Sequence, residues 1–341
     1  MTLRDLGEKR LVREVLKPLL PAVVDGVGAG DDAAVVPFPA GARLVASSDK
    51  IPEDLLAVEF GLMSPTEQGR YLVAVSVSDI AAMGASPLGT LLTLALTDDY
   101  LVEDLRELVA GAVAAGREWG APVLGGDTGS GSAVCMSSSS FGYITGDRTL
   151  TRSDAVPGDL IAVSGPLGGF GAALAYFAAR IDGTAPKLSP EVSEGLRRCL
   201  VYPTPRVDLA PRLISGDWCH ACMDITDGLG QSLRELSEAS DIGFQISAES
   251  IPINPLALTV SDALNLDLYE LVFGIGLDLE LLVTIGSDGV DDARDCGVMA
   301  FGEVQVEKKI VIERNGTKTG VPGRGWEHFG GNVREYLSHR R

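Results

Sequence analysis

Apolar residues recur at helical spacing from Leu3 to Leu20 and stop at Pro21, which predicts an N-terminal helix. A glycine-rich loop over Val24–Asp32 leads to a short apolar run, Ala33–Val36. The turn PFPAG then connects it to a second run, Leu44–Ser47, so the two are expected to pair as a hairpin. Thr66–Met83 reads as a helix with Tyr71, Val75 and Ile80 on its inner side, closed by Gly84. Leu88–Thr97 reads as a strand and Val102–Trp119 as a helix, with Leu105, Leu108, Val109, Ala112 and Val113 at helical spacing. Further strands are expected at Pro122–Leu124 and Val134–Ile144. The second half restarts with a strand at Leu160–Val163, a helix at Phe170–Arg180 and a helical region over Glu191–Ile214. A strand at Ala221–Ile225, a helix at Leu229–Ala239, strands at Leu279–Ile285 and Val298–Val304, and a hairpin near Lys308–Thr319 complete the pattern.

Between the halves, Arg148–Gly158 is a polar, Pro- and Gly-containing connector, which divides the chain into domains 1–148 and 149–341. A chain of 341 residues is long enough for two cores. Strands and helices mix without strict alternation, so the expected class is α/β built as α+β layers, not a doubly wound sheet.

Composition narrows the function. Asp and Glu number 47 against 28 Lys and Arg, a net charge of −19, which opposes nucleic-acid binding. The longest apolar stretch, Leu88–Leu96, is too short to span a bilayer, and the N-terminus lacks signal-peptide design. A soluble cytoplasmic protein is therefore expected. The 5 cysteines are scattered and odd in number, which argues against a disulfide framework. Cys219-His220-Ala221-Cys222 resembles half a zinc site without a second pair; the alternative is two small buried residues leading into the strand that ends at Asp224.

The candidate chemistry lies in separated acidic clusters: Gly30-Asp31-Asp32, Ser47-Ser48-Asp49, Ser78-Asp79, Gly125-Gly126-Asp127-Thr128 and Asp224-Ile225-Thr226-Asp227-Gly228. Most fall at element ends or in turns. Mg²⁺ takes about six oxygen ligands and keeps several waters, so one or two carboxylates per ion suffice. Carboxylates presented singly fit ions bridged by a polyphosphate, and adjacent glycines let backbone N–H groups approach phosphate oxygens. Asp79 is set in an otherwise apolar and small stretch, VAVSVSDIAAMGA, where a carboxylate needs a partner or a metal. Taken one at a time, these aspartates also suit turns, caps or salt bridges.

The P-loop and protein-kinase signatures are absent, and GVGAGD lacks the context of a dinucleotide fold. Gly165-Pro166-Leu167-Gly168-Gly169 is either a phosphate cradle at a helix N-terminus or a tight turn.

In order along the chain, GAGDDAAVV, SSD, SDIAAMGASP, GGDT, LTRSDAVPGD, DITDGL and the terminal GWEHF resemble the blocks of the thiamine-monophosphate kinases, within the larger family of aminoimidazole ribonucleotide synthetase and selenophosphate synthetase. The resemblance implies an N-terminal α/β domain that pairs across a homodimer, a C-terminal α/β domain, and ATP with several Mg²⁺ ions between them. By matching motif it implies Asp32, Ser47, Ser48, Asp49, Asp79, Asp127, Asp224 and Asp227 as metal ligands, and Gly126, Asp127, Arg152 and Thr226 as ATP contacts. The implied reaction passes the γ-phosphoryl of ATP to a small phosphorylated metabolite, with thiamine monophosphate the best named acceptor. The alternative is a cyclase or ligase like aminoimidazole ribonucleotide synthetase, which releases ADP and phosphate.

The departures fall on the acceptor side. The family's V-x-G-x-H-F segment, whose His touches substrate, is replaced after Asp49 by KIPEDLLAVEFGLM, with Glu59 before Phe60. In the family's G-G-E-D-Y-E-L block Leu277 stands where the first Glu would bind substrate, and the terminal aromatic survives as Trp326. Lys50 is either a surface residue or a cation able to neutralise a phosphoryl group beside the metals. Asp79 and Lys50 are the candidate catalytic pair.

Overall fold

A computed structural model of the chain describes residues 1–28, 32–51 and 55–322. The chain divides into two compact units, Met1–Thr149 and Leu150–Arg341. Both mix helices with a sheet, which is the α/β class with α+β layering that the sequence predicts.

The N-terminal helical stretch is broken at Gly7, whose φ is 77°, and resumes as short segments that reach Leu19. The main elements that follow are β1 (Arg43–Ile51), α1 (Pro65–Ala82), β2 (Ser86–Leu96), α2 (Val102–Glu118), β3 (Val123–Ser130) and β4 (Cys135–Ile144). The expected hairpin does not form. Val35 makes only an isolated bridge to Val27, and β1 pairs antiparallel with β4 instead. Pro37 and Pro39 explain this, because neither has an N–H to extend a ladder.

Among the described residues the sheet of this unit has the order β1-β4-β2-β3, parallel only between β2 and β3. Helix α1 packs on β1 and β4 and also against α2. It starts at a capping box in which Ser64 and Glu67 bond reciprocally, with Pro65 in the first turn. Being covered on several sides, α1 buries Leu72, Val73, Ala74, Val77 and Ile80 completely, so its sequence shows little amphipathic contrast. The two helices touch backbone to backbone. A Cβ on Gly69 would lie 1.9 Å from the Leu108 carbonyl oxygen, and one on Gly111 would lie 2.0 Å from that of Thr66.

The layer between α1 and the sheet is polar in part. Ser138 and Ser140 of β4 face inward, and hydroxyl contacts join Ser76 to Ser138 (2.8 Å) and to Ser140 (2.7 Å), and Thr90 to Ser140 (2.9 Å). Ser138 also donates to the Leu72 carbonyl at 2.5 Å. Buried hydroxyls are tolerated because they satisfy one another.

The second unit contains β5 (Leu160–Val163), α3 (Gly169–Ile181), α4 (Pro190–Val201), β6 (Cys219–Asp224), α5 (Leu229–Ser240), β7 (Gly243–Ser247), α6 (Pro255–Leu264), α7 (Leu268–Phe273), β8 (Leu281–Ile285), β9 (Met299–Gln305), β10 (Ile310–Arg314) and β11 (Thr317–Thr319). The expected helical region over Glu191–Ile214 splits at Pro203 and Pro205 into α4 and a short helix, Ala210–Ser215. The sheet runs β11-β10-β7-β9-β5-β8-β6 among the described residues. Its core gathers Ile161, Val163, Leu233, Phe244, Phe273 and Phe301. Cys219 and Cys222 lie buried on β6, and among the described residues no three His, Cys, Asp or Glu side chains are grouped to hold a metal. The half-zinc alternative is thus replaced by the buried-strand one. No helix among the described residues is long and apolar enough to cross a membrane.

Replacing Gly69 or Gly111 with Val should lower unfolding free energy by about 3 kcal/mol, because the added atoms meet backbone that cannot swing aside. Urea unfolding of each variant measures the loss, and an unchanged midpoint would refute the close helix contact.

Candidate active site

In the first unit, strand alternation sorts the candidate residues by face. Ser47 and Asp49 of β1 are half-buried toward α1, whereas Ser48 and Lys50 are exposed. Asp79 lies half-buried in the last turns of α1, and the Ser47 hydroxyl donates a short hydrogen bond to its carboxylate. Asp49 faces the Tyr71 end of the same helix. Burial and the nearby Asp49 charge together push the Tyr71 phenol pKa upward. The structure therefore brings Ser47, Asp49 and Asp79 to the interface of one strand with one helix.

Other members of the set lie elsewhere on this sheet. Register aligns Lys50, Ser137, Thr93 and Asp127 in one row across the four strands, and Asp49, Ser138, Leu92 and Gly126 in the next. Asp127 and Lys50 are exposed, on the face away from α1, and Ser48 touches Ser139 there at 3.0 Å. Three strand spacings separate Asp49 from Asp127, about 14 Å along the sheet. One Mg²⁺ therefore cannot be shared by Asp49 and Asp127 in this arrangement. The GGDT segment, which follows the expected strand Pro122–Leu124, is itself part of β3. At Gly126 φ is 153° and a Cβ would lie 1.8 Å from the Leu92 carbonyl oxygen, so only glycine fits. Asp32 is exposed in the loop before Val35.

In the second unit, Asp224 ends β6 at 2% exposure, and Thr226 and Asp227 form the bend that leads into α5. Gly228 makes this bend possible, with φ 90° and a Cβ position only 1.6 Å from the Gly274 carbonyl oxygen. The N-cap of α5 is Gly228, which brings no side chain, so the bend sets the N-terminal end of a helix beside Thr226 and Asp227. The facing segment is braced by main-chain bonds, Leu279 N–H to Ile225 O (3.1 Å) and Ile225 N–H to Glu280 O (2.9 Å). Leu279 is fully buried with φ 52°, an uncommon conformation for a branched residue. Leu277 is half-buried in this segment, beside Gly276, which abuts Gly228.

Arg152 follows Thr151, whose carbonyl accepts from the Cys222 N–H at 2.9 Å. Its guanidinium contacts Glu235 of α5 at 2.8 Å, with half of the Arg side chain exposed. Such a pair is worth about 0–1 kcal/mol, so Arg152 can leave it at little cost. The two alternatives for Gly165–Gly169 are also resolved. Asp278 accepts from the N–H groups of Gly168 (2.9 Å) and Phe170 (3.0 Å), filling the N-terminal end of α3 with the protein's own carboxylate. Burial raises the Asp278 pKa, while those backbone bonds act to lower it. Nothing local in the sequence marks Asp278 as this cap, because its partners lie more than a hundred residues away.

Comparison with known proteins bears on this geometry. Residues 30–144 match the N-terminal domain of AIR synthase related proteins, and 156–291 match the C-terminal domain. A thiamine-monophosphate kinase of Methanospirillum hungatei is 33% identical over 309 residues, which cover 88% of this chain and 94% of that protein. The chain belongs to the thiamine-monophosphate kinase family. Like its family, it is a phosphotransferase. The crystal structure of thiamine-monophosphate kinase from Stenotrophomonas maltophilia K279a aligns with TM-score 0.74 and 26% identity over 91% of this chain and 96% of that one. The fold is shared as well with AaThiL complexed with AMPPCP and TMP, at TM-score 0.72 and 23% identity, over 96% and 99% of the two chains.

Within this thiamine-monophosphate kinase family member, Glu59 is exposed in the short helix Leu56–Glu59, and Trp326 lies outside the described residues. Substituting Asp278 with Ala should cost about 1–2 kcal/mol, the loss of a helix N-terminal cap, with Asn recovering part of it. Thermal unfolding of the two variants tests this, and equal stability of all three proteins would remove the cap from the account.

Proposed function

We propose that the chain transfers the γ-phosphoryl group of Mg-ATP to a small phosphorylated acceptor, with thiamine monophosphate as the first candidate. The contact of the Ser47 hydroxyl with the Asp79 carboxylate, with Asp49 next along the same face of β1, is the observation that carries this reading. A hydroxyl and carboxylates on one strand–helix interface offer oxygen donors that suit a hard cation such as Mg²⁺. When bound, Mg²⁺ would neutralise the charge that spreads over the transferring phosphoryl oxygens.

The residues divide the remaining work. In the first unit Asp49 and Asp79 hold the cation, and Ser47 fixes the Asp79 carboxylate. Asp32, Ser48 and Asp127 are assigned to further ions. In the second unit Asp224 and Asp227 bind metal, while Thr226 and the N-terminal N–H groups of α5 orient phosphate oxygens. Gly126 and Asp127 contact the nucleotide, and Arg152 moves from Glu235 onto a phosphate as a two-point clamp. Lys50 is assigned to the acceptor phosphate, on the exposed sheet face with Asp127. Glu59, Leu277 and Trp326 are assigned to the acceptor itself. The AaThiL structure with AMPPCP and TMP supports an ATP and thiamine-monophosphate pairing for this chain. A homodimer formed through the first unit fits the exposed Leu44 on the outer sheet face and Phe38, which stacks edge-on against Tyr143 there.

Phosphorus NMR of the protein with Mg-ATP and thiamine monophosphate should show ADP and a new diphosphate in equal amounts. ADP with free phosphate would indicate the ligase-type reaction instead, and no turnover would exclude this acceptor. Asp79→Asn should reduce turnover by about 100-fold or more while leaving the melting temperature within a few degrees. Ser47→Ala should lower it less, because the carboxylate remains; full activity in Asp79→Asn would take Asp79 out of the site.

A further inference from the structure

The bend Asp224–Asp227 is held from behind by a charged cluster that the proposed reaction does not use, and one member, Glu280, stands at the second Glu of the G-G-E-D-Y-E-L block. Ile225, in the middle of the bend, is bonded through its N–H to the carbonyl of Glu280 and through its carbonyl to the N–H of Leu279. The Glu280 carboxylate in turn accepts from Arg206 Nη1 at 2.7 Å and from the Ser164 hydroxyl. Arg206 Nη1 also donates to the Ser164 carbonyl at 2.6 Å. The other side of its guanidinium grips Asp208, Nε to Oδ1 and Nη2 to Oδ2, both at 3.2 Å. Ser164 completes the circuit, since its hydroxyl accepts the Leu281 N–H at 2.7 Å.

Three features make this more than surface charge pairing. Arg206 and Glu280 are only 20% and 17% exposed, so solvent screens them weakly. Glu280 is adjacent to Leu279, whose positive φ needs support from both neighbours. The cluster reaches the bend through one residue, Ile225, flanked by Asp224 and Thr226. A shift of Glu280 is passed by its carbonyl directly to the main chain that presents both carboxylates.

We infer that Arg206 and Glu280, with Ser164, are positioning residues that set the Asp224–Asp227 bend in its metal- and nucleotide-binding geometry. Arg206 balances the Glu280 charge, Glu280 fixes the strained turn at Leu279, and that turn fixes Ile225. The inference rests on the proposed function, because it assigns the bend to Mg-ATP.

The test is calorimetric titration of AMPPCP with Mg²⁺ into wild type, Glu280→Ala, Glu280→Gln, Arg206→Ala and Arg206→Lys, with a melting curve for each. Glu280→Ala and Arg206→Ala should weaken binding about tenfold, as losses behind metal ligands do. Glu280→Gln keeps an acceptor for Ser164 and Arg206 and should remain near wild type. Folded Ala variants that bind as wild type does would overturn the inference. So would parallel losses of affinity and melting temperature in all four variants, which mark a purely structural role. Should Glu280→Ala fail to fold, Arg206→Lys carries the comparison. It keeps the charge without the two-point grip on Asp208; weaker binding supports the cluster's role and unchanged binding refutes it. Absence of binding by the wild type would instead strike the proposed function itself.

Discussion

A carboxylate set into a buried helix must be answered by a donor, and in the first unit the Ser47 hydroxyl answers Asp79. That contact fixes how β1 lies on α1, and with it the faces shown by Asp49, Ser48 and Lys50. Slipping β1 by one residue would turn Ser47 and Asp49 outward and Ser48 inward. The pairing of β1 with β4, in place of the local partner at Ala33–Val36, is therefore a condition of the site as well as of the fold.

The core beneath this contact is built for close approach. Gly69 and Gly111 let α1 and α2 meet at their backbones, which brings α1 deep enough to be covered on several sides. The price is that hydroxyls of Ser76, Thr90, Ser138 and Ser140 lie inside, where each depends on the others for hydrogen bonds. A layer of this kind gives α1 one favoured seating, since sliding the helix would break several of these bonds together.

The second unit reaches a comparable result by different means. Its acidic bend follows β6, which is the edge strand of the sheet among the described residues. The segment around Leu279, just before β8, extends the β6–β8 ladder onto Ile225 and adopts an unfavourable backbone conformation as it does so. Asp278 and Glu280, on either side of Leu279, are drawn to different anchors: the N-terminus of α3 for one, Arg206 and Ser164 for the other. A short stretch of chain thus joins a helix cap, a charged cluster and the candidate site.

The sequence by itself determined the α/β class, most of the long helices and strands, and which residues carry oxygen-donor chemistry, because periodicity, capping and acidic motifs are local. It pointed to Asp79 through the mismatch of one charge in an apolar stretch. It misjudged Ala33–Val36 and the Glu191–Ile214 region, where prolines overrode the apolar pattern, and it ended a strand at Leu124 although the strand continues through GGDT. Only the tertiary structure decided that Ser47 meets Asp79, that Asp49 and Asp127 lie on opposite sheet faces, that Asp278 fills the Gly168 cradle, and that Arg206 stands behind the acidic bend. Each of those outcomes joins residues far apart in the chain, and side-chain spacing along one segment carries no record of which distant segment will pack against it.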